Sequence, residues 1–196
     1  MSLVETMFEI RRFAQAMSPS LPPIDLALPR LRELLEAAGV PYRLVGGVAV
    51  VHHGYERSTR DLDVLIPADA EIDPLLATHG FVRDSRTRLR HVASGVPIDL
   101  LIAGDPCPRP GQPAYPEPDD VAPSPRDPGV IGLAGLVTLK LRAGRLQDKA
   151  DVVALLKHLS ESELIELGAG VDSSQRSELA RLWDDAQQEL SWERGG

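Results

Sequence analysis

Apolar residues fall at helical spacing in the first stretch of the chain, where Leu3, Met7, Ile10, Phe13 and Met17 form one stripe and predict an amphipathic helix over residues 1–17. Ser18-Pro19-Ser20-Leu21-Pro22-Pro23 breaks it, and a second helix is predicted from Leu26 to Ala38. The pattern then changes. Tyr42-Arg43-Leu44-Val45 reads as a short strand, Gly46-Gly47 as a turn and Val48 to His53 as the helix that follows. Leu62, Val64 and Ile66 predict a strand in which Asp61 and Asp63 share the opposite face, because side chains alternate along a strand. A crossover helix is expected from Ile72 to His79. A hairpin is expected from strands near 86–93 and 96–102, turning at Ser94-Gly95. From Asp105 to Pro128 there are nine prolines in twenty-four residues, which excludes regular helix and inner strand and predicts an extended loop. Helices return at Ile131 to Leu141, from Asp148 onward, at Glu161 to Leu167 and at Ser174 to Trp192.

These elements divide the chain into an N-terminal helix and linker (1–24), an α/β core (25–105), the proline-rich loop (106–129) and a C-terminal helical segment packed on the core (130–196). A chain of 196 residues suits one domain with a helical extension, and 43% hydrophobic content is enough for a real core. The one cysteine, Cys107, excludes an internal disulfide. No apolar run approaches the roughly 20 residues that span a bilayer, and no basic-then-apolar leader pattern is seen, so a cytoplasmic protein without a membrane partner is expected. The net charge of -8 argues against coating nucleic acid by charge alone.

The chemistry is concentrated at the acids. Asp61 and Asp63 would stand roughly 6.5 Å apart along a strand, and two like charges near 4 Å cost on the order of 4 kcal/mol at an effective dielectric of about 20. A hard divalent cation is expected between them, and magnesium suits carboxylate donors. Asp99 is the lone charge in a second apolar strand, Val96-Pro97-Ile98-Asp99-Leu100-Leu101-Ile102. Burying such a group is costly unless it is paired or bound to metal. The strand-to-helix turn at Gly46-Gly47 leaves backbone amides open to a phosphate.

The order of strand, Gly-Gly, helix, D-x-D strand and third-acid strand resembles the nucleotidyltransferase superfamily, with thirteen residues between Gly47 and Asp61. Arg57-x-Thr59-x-Asp61-x-Asp63 and the segment Leu139-Lys140-Leu141-Arg142-Ala143-Gly144-Arg145-Leu146-Gln147-Asp148-Lys149-Ala150-Asp151 are similar to the small bacterial branch of abortive-infection toxins (AbiEii-like). The resemblance covers roughly residues 26 to 157. It implies a polymerase beta-like α/β fold, a small mixed sheet flanked by helices. It also implies transfer of a nucleoside monophosphate from a nucleoside triphosphate to an acceptor hydroxyl, on a tRNA 3′ end or a protein, with a cognate antitoxin as partner. Asp61, Asp63 and Asp99 would be catalytic and hold two magnesium ions, with manganese as the substitute. Gly46, Gly47, Arg57, Thr59 and Lys140 would bind nucleotide, with Arg60, Arg142, Arg145 and Asp148 in supporting places. An adenylyltransferase acting on aminoglycoside or lincosamide antibiotics shares this core, and a silent binding module could keep it.

Several of these residues have a plainer reading. Lys140 is the charge in an apolar helix and is either snorkelling, paired or aimed at phosphate. Asp148 and Asp151 suit an N-cap and N3 pair at a helix start, and Arg142 and Arg145 suit a helix C-terminus. Arg57 and Thr59 could equally brace the loop before the acids. Arg86, Arg88 and Arg90 would share a strand face beside the acidic site, where they would steer an RNA end or protect an edge from aggregation. The five histidines have no metal-ligand spacing.

Overall fold

Leu62, Val64, Leu65 and Ile66 are all within 3% of full burial, because the strand they form has a neighbour on each side and packed layers on both faces. The structure, a computed structural model, describes Leu3, Glu5, Thr6 and residues 23–195. In chain order its strands are β1 (Arg43–Val45), β2 (Leu62–Ile66), β3 (Phe81–Ser85), β4 (Arg88–His91), β5 (Pro97–Ile102), β6 (Pro123–Ser124) and β7 (Asp127–Ile131). They make one seven-stranded mixed sheet of order β3-β4-β5-β2-β1-β7-β6, with β2 at its centre. The β2–β5 and β1–β7 pairs are parallel and the others antiparallel.

The helices are α1 (Ile24–Ala37), α2 (Gly46–His52), α3 (Leu133–Ala143), α4 (Leu146–Leu156), α5 (Glu161–Gly170) and α6 (Arg176–Gly195). In α1, Ala27, Leu28, Leu31, Leu34 and Leu35 form the buried stripe that seats it on the sheet. Helix α3 has two buried faces. Leu136 and Leu139 join the sheet core, while Val137 and Leu141 join a second cluster with Val152 and Leu156 of α4, Leu167 of α5 and Leu179, Leu182 and Ala186 of α6. Gly144, in the left-handed region at φ 66°, ends α3 and turns the chain into α4.

The chain is thus α/β with a C-terminal helical layer, and several elements differ from the sequence pattern. The helix expected over 1–17 lies mostly outside the described residues, although Leu3 is buried in the sheet core. Between Ile72 and His79 only a 3-10 turn, Asp73–Leu75, is formed, since Asp73-Pro74 starts a turn and only Ile72 and Leu76 are buried there. The hairpin is a three-stranded meander, because Phe81 brings β3 onto β4. The proline-rich stretch is not a loop throughout: its end folds as β6 and β7, and β7 pairs with β1 at Leu44↔Val130. Helix α4 starts earlier than expected, with Arg145 at its N-cap and Asp148 at N3, so neither Asp148 nor Asp151 is the cap. Among the described residues no helix is long and apolar enough to cross a membrane.

Candidate active site

Strand register places Val45, Asp63, Asp99 and Arg88 in a single row across β1, β2, β5 and β4. The two apolar strands that carry lone acids are therefore neighbours, and their acids are direct partners. Gly46 follows Val45 at the start of α2, with φ +59°. Asp63 is the reason for glycine there, since a Cβ on Gly46 would come within 2.5 Å of the Asp63 Cγ and closer still to its oxygen. Gly47 is constrained in the same way by Thr59, whose Oγ1 would lie 2.5 Å from an added Cβ.

This row faces a cleft of about 470 Å³. Val45, Gly46, Asp63 and Asp99 line it from the sheet, Arg86 and Arg88 from the β3–β4 side, and Leu136, Leu139, Lys140, Ala143, Arg145 and Asp148 from α3 and α4. Pro106, Pro108 and Tyr115 complete it from the proline-rich segment. Four acidic side chains, Asp63, Asp99, Asp105 and Asp148, meet four basic ones, Arg86, Arg88, Lys140 and Arg145, so the lining has no formal surplus of positive charge.

Asp63 is partly buried, and its pKa is pushed up to about 7, first by desolvation and then by the charges of Asp61 and Asp99, against the opposing pull of Lys140 and Arg145. A carboxylate in that position favours a proton or a cation beside it. The donors present are carboxylate oxygens, which match magnesium or manganese. Among the described residues no three acidic or histidine side chains already surround one point. Asp99 accepts from Arg88, with Nε to Oδ1 at 2.6 Å and Nη2 to Oδ2 at 3.0 Å. Asp61 stands in the bend before β2, not within the strand, and takes a hydrogen bond from Thr59 Oγ1 at 3.2 Å. It does not line the cleft, although its charge is felt at Asp63. Asp63 and Asp99, side by side on neighbouring strands, are the carboxylates of the cleft lining whose chemistry could suit a divalent cation.

Lys140 neither snorkels nor stands free. Its Nζ donates to Asp151 Oδ2 at 2.6 Å and lies 3.3 Å from Asp148 Oδ1, with the side chain 7% exposed. Asp151 is fully buried and also accepts two bonds from Arg57 Nη1 and one from Gln147. Burial alone would raise the Asp151 pKa, but these donors, Lys140 foremost, hold it below the usual carboxylate range. Asp148 in turn accepts from Arg145 Nε at 2.7 Å. The chain Arg57–Asp151–Lys140–Asp148–Arg145 thus ties the loop before β2 to α3 and α4.

Of the other nucleotide-binding candidates, Arg57 and Thr59 lie outside the cleft lining, since one is spent on Asp151 and the other is buried between Gly47 and Asp61. Arg60 is exposed and also outside it. Arg142 turns away as well: it binds Asp172 Oδ2 at 2.6 Å and the Ala114 carbonyl at 3.1 Å, holding the proline-rich segment against the helical layer. The arginine stripe is not a free basic face. Arg86 pairs with Asp105, Arg88 with Asp99 and Arg90 with Asp84. His91 is buried, bonded to Ser94 and packed on Phe81.

Tyr115 was not singled out by sequence reasoning. Its backbone is clamped to the end of β5, with Gly104 N donating to Tyr115 O and Tyr115 N to Asp105 O, each at 2.9 Å. Burial first of all pushes its phenol up to about 12, so it faces the cleft as a neutral hydroxyl. Its one sequence signal is that it is the lone aromatic among the nine prolines of 105–128. Compared with known proteins, the chain matches no family model, and no curated protein is significantly similar to it.

Proposed function

We propose that the cleft belongs to a nucleotidyltransferase that moves a nucleoside monophosphate from a nucleoside triphosphate to an acceptor hydroxyl. The observation that carries this reading is the pair Asp63 and Asp99, two acids in register beside the Gly46 turn, where the first acid forbids a side chain. The balanced charge of the lining supports it too, because a triphosphate entering a cleft with no surplus of positive charge needs its own cation. Asp63 and Asp99, with Asp61 behind them, would hold magnesium or manganese. When bound, the ions neutralise the triphosphate and lower the pKa of the attacking hydroxyl.

The chain's own residues do the rest. The bare backbone at Gly46 lets the Asp63 carboxylate pack directly against the start of α2, beside the cleft that would take the phosphates. Arg145 and Lys140 set positive charge on the opposite wall, and Asp148 fixes where that charge sits. The acceptor oxygen bonds to the α-phosphorus as the bond to the β-bridging oxygen breaks. Pyrophosphate leaves, and the hydroxyl proton goes to an Asp99 oxygen. Tyr115, Pro106 and Pro108, which line the same cleft with apolar surface, offer a face for the base. A toxin acting on tRNA or protein beside an antitoxin, or an enzyme adenylylating an antibiotic, are the acceptor classes this core serves.

One observation favours a second reading, a binding module without turnover: Asp99 is already neutralised by Arg88 and Lys140 by two acids. Pyrophosphate release separates the two. Each nucleoside triphosphate is supplied with magnesium and, in turn, total RNA, lysate protein and aminoglycoside. Release by the wild type that is absent from Asp63→Asn supports transfer, while nucleotide binding with no release for any acceptor supports the silent module.

A further inference from the structure

Arg88 has no part in the chemistry just described, yet it holds one of its acids. Residues 88 and 99 are direct partners on antiparallel β4 and β5, and Asp99 is in turn the partner of Asp63 on β2. The guanidinium fork takes both oxygens of Asp99, at 2.6 and 3.0 Å. That geometry occupies one lone pair on each oxygen and neutralises the charge with which Asp99 would hold a cation shared with Asp63, so the two cations compete for it. The pair is also solvent-accessible, with the arginine side chain 53% exposed and the aspartate 30%. Exposed ion pairs are weak and easily broken, whereas a divalent ion between two carboxylates is held by both.

We propose that Arg88 is a built-in counter-ion, displaced from Asp99 by the divalent cation and then free to bind the phosphate group that arrives with it. The inference rests on the nucleotidyltransferase reading and adds to it a residue that couples metal entry to nucleotide binding. A planar guanidinium suits both roles, since carboxylate and phosphate present the same bidentate edge. Arg88 stands on the cleft rim with Arg86, whose partner Asp105 also lines the cleft, so the released fork swings over the space a triphosphate would fill. Exchange of this kind keeps Asp99 compensated when the cleft is empty and supplies positive charge to the phosphate only once the metal is in place. A purely structural cross-strand pair would have no such consequence for metal affinity.

The two roles move two affinities in opposite directions in one variant. Manganese alone is titrated into wild type, Arg88→Gln, Arg88→Lys and Asp99→Asn, reading free ion by its paramagnetic resonance signal. A non-hydrolysable α,β-methylene nucleoside triphosphate is then added in saturating manganese and followed by calorimetry. Arg88→Gln is expected to bind manganese about three- to fivefold tighter, with Arg88→Lys between it and wild type, and to bind the nucleotide analogue on the order of threefold more weakly. Asp99→Asn is expected to bind manganese more weakly than wild type. Arg88→Gln that melts like wild type but binds manganese equally or less tightly overturns the proposal while leaving the nucleotidyltransferase reading intact. Wild type that takes up no manganese overturns both.

Discussion

Asp63 is kept at the sheet's cleft edge against both desolvation and two neighbouring carboxylates, which lift its pKa from 3.8 to about 7. A raised carboxyl pKa lowers stability as the group ionises: the contribution of Asp63 to the metal-free protein is fully present below its unfolded value near 4 and is lost as pH rises through about 7, opposite in sign to that of Asp151, whose pKa is lowered. Asp63→Asn removes that dependence. Without metal it is expected to melt higher than wild type at pH 8, by roughly 2–4 kcal/mol, and to differ little at pH 4; thermal melts at the two pH values check this. Gly46→Ala is the opposite case. A side chain at φ +59° costs about 1–2 kcal/mol by itself, and its Cβ would strike the Asp63 carboxylate, so chemical denaturation is expected to show a loss of at least that size together with loss of nucleotide binding. At this scale the acids and glycines were legible because each is an exception in an apolar run. The partners of Lys140 were not. Its two acids lie eight and eleven residues further on, at positions where capping explained them equally well.

Among the elements, legibility followed burial. Helix α1 and strands β2 and β5 show their spacing in sequence because most of their apolar residues are buried in the core or, like Leu101 and Ile102, packed against it. Strand β3 buries only Phe81, and β6 and β7 contain Pro123 and Pro128, so none carries an alternating apolar signal. Their existence depends on the neighbours they pair with, which no local pattern encodes. The start of α4 was misplaced for a similar reason: Asp148 looks like a cap, but its carboxylate is used at N3 by Arg145 and by Lys140 from the helix before. The helices α3 and α4 are joined at that point by charge as well as by Val137, Leu141 and Val152. Asp151→Ala leaves the Lys140 ammonium buried with one longer contact, and loss of one partner from a buried pair costs about 3 kcal/mol or more. Urea denaturation is expected to show that loss, whereas Arg57→Ala, which removes a side chain 22% exposed, costs less.

Over the whole molecule, two hydrophobic clusters share one helix. Because α3 gives Leu136 and Leu139 to the sheet and Val137 and Leu141 to the helical layer, neither cluster is complete without it. Heat unfolding is therefore expected to be a single transition, with the fluorescence of Trp183, which packs on the helical cluster, coinciding with loss of far-ultraviolet circular dichroism. Leu141→Ala, at 1% exposure, is expected to cost 2–5 kcal/mol and to shift both signals together. The proline-rich segment completes this arrangement, running from β5 past the cleft to β7 and pinned midway by Arg142 to the helical layer. One wall of the cleft is thereby fixed to the same layer that carries Lys140 and Arg145.

The most direct test follows two labels at once. Nucleoside triphosphate labelled at the α-phosphorus, and separately at the γ-phosphorus, is incubated with magnesium, the protein and an acceptor mixture of total RNA and lysate protein. The expected result is α-label in the acceptor and γ-label in pyrophosphate, both lost in Asp63→Asn. Label from the γ-position in the acceptor, or transfer that survives Asp63→Asn unchanged, would contradict a nucleotidyltransferase built on the Asp63–Asp99 row.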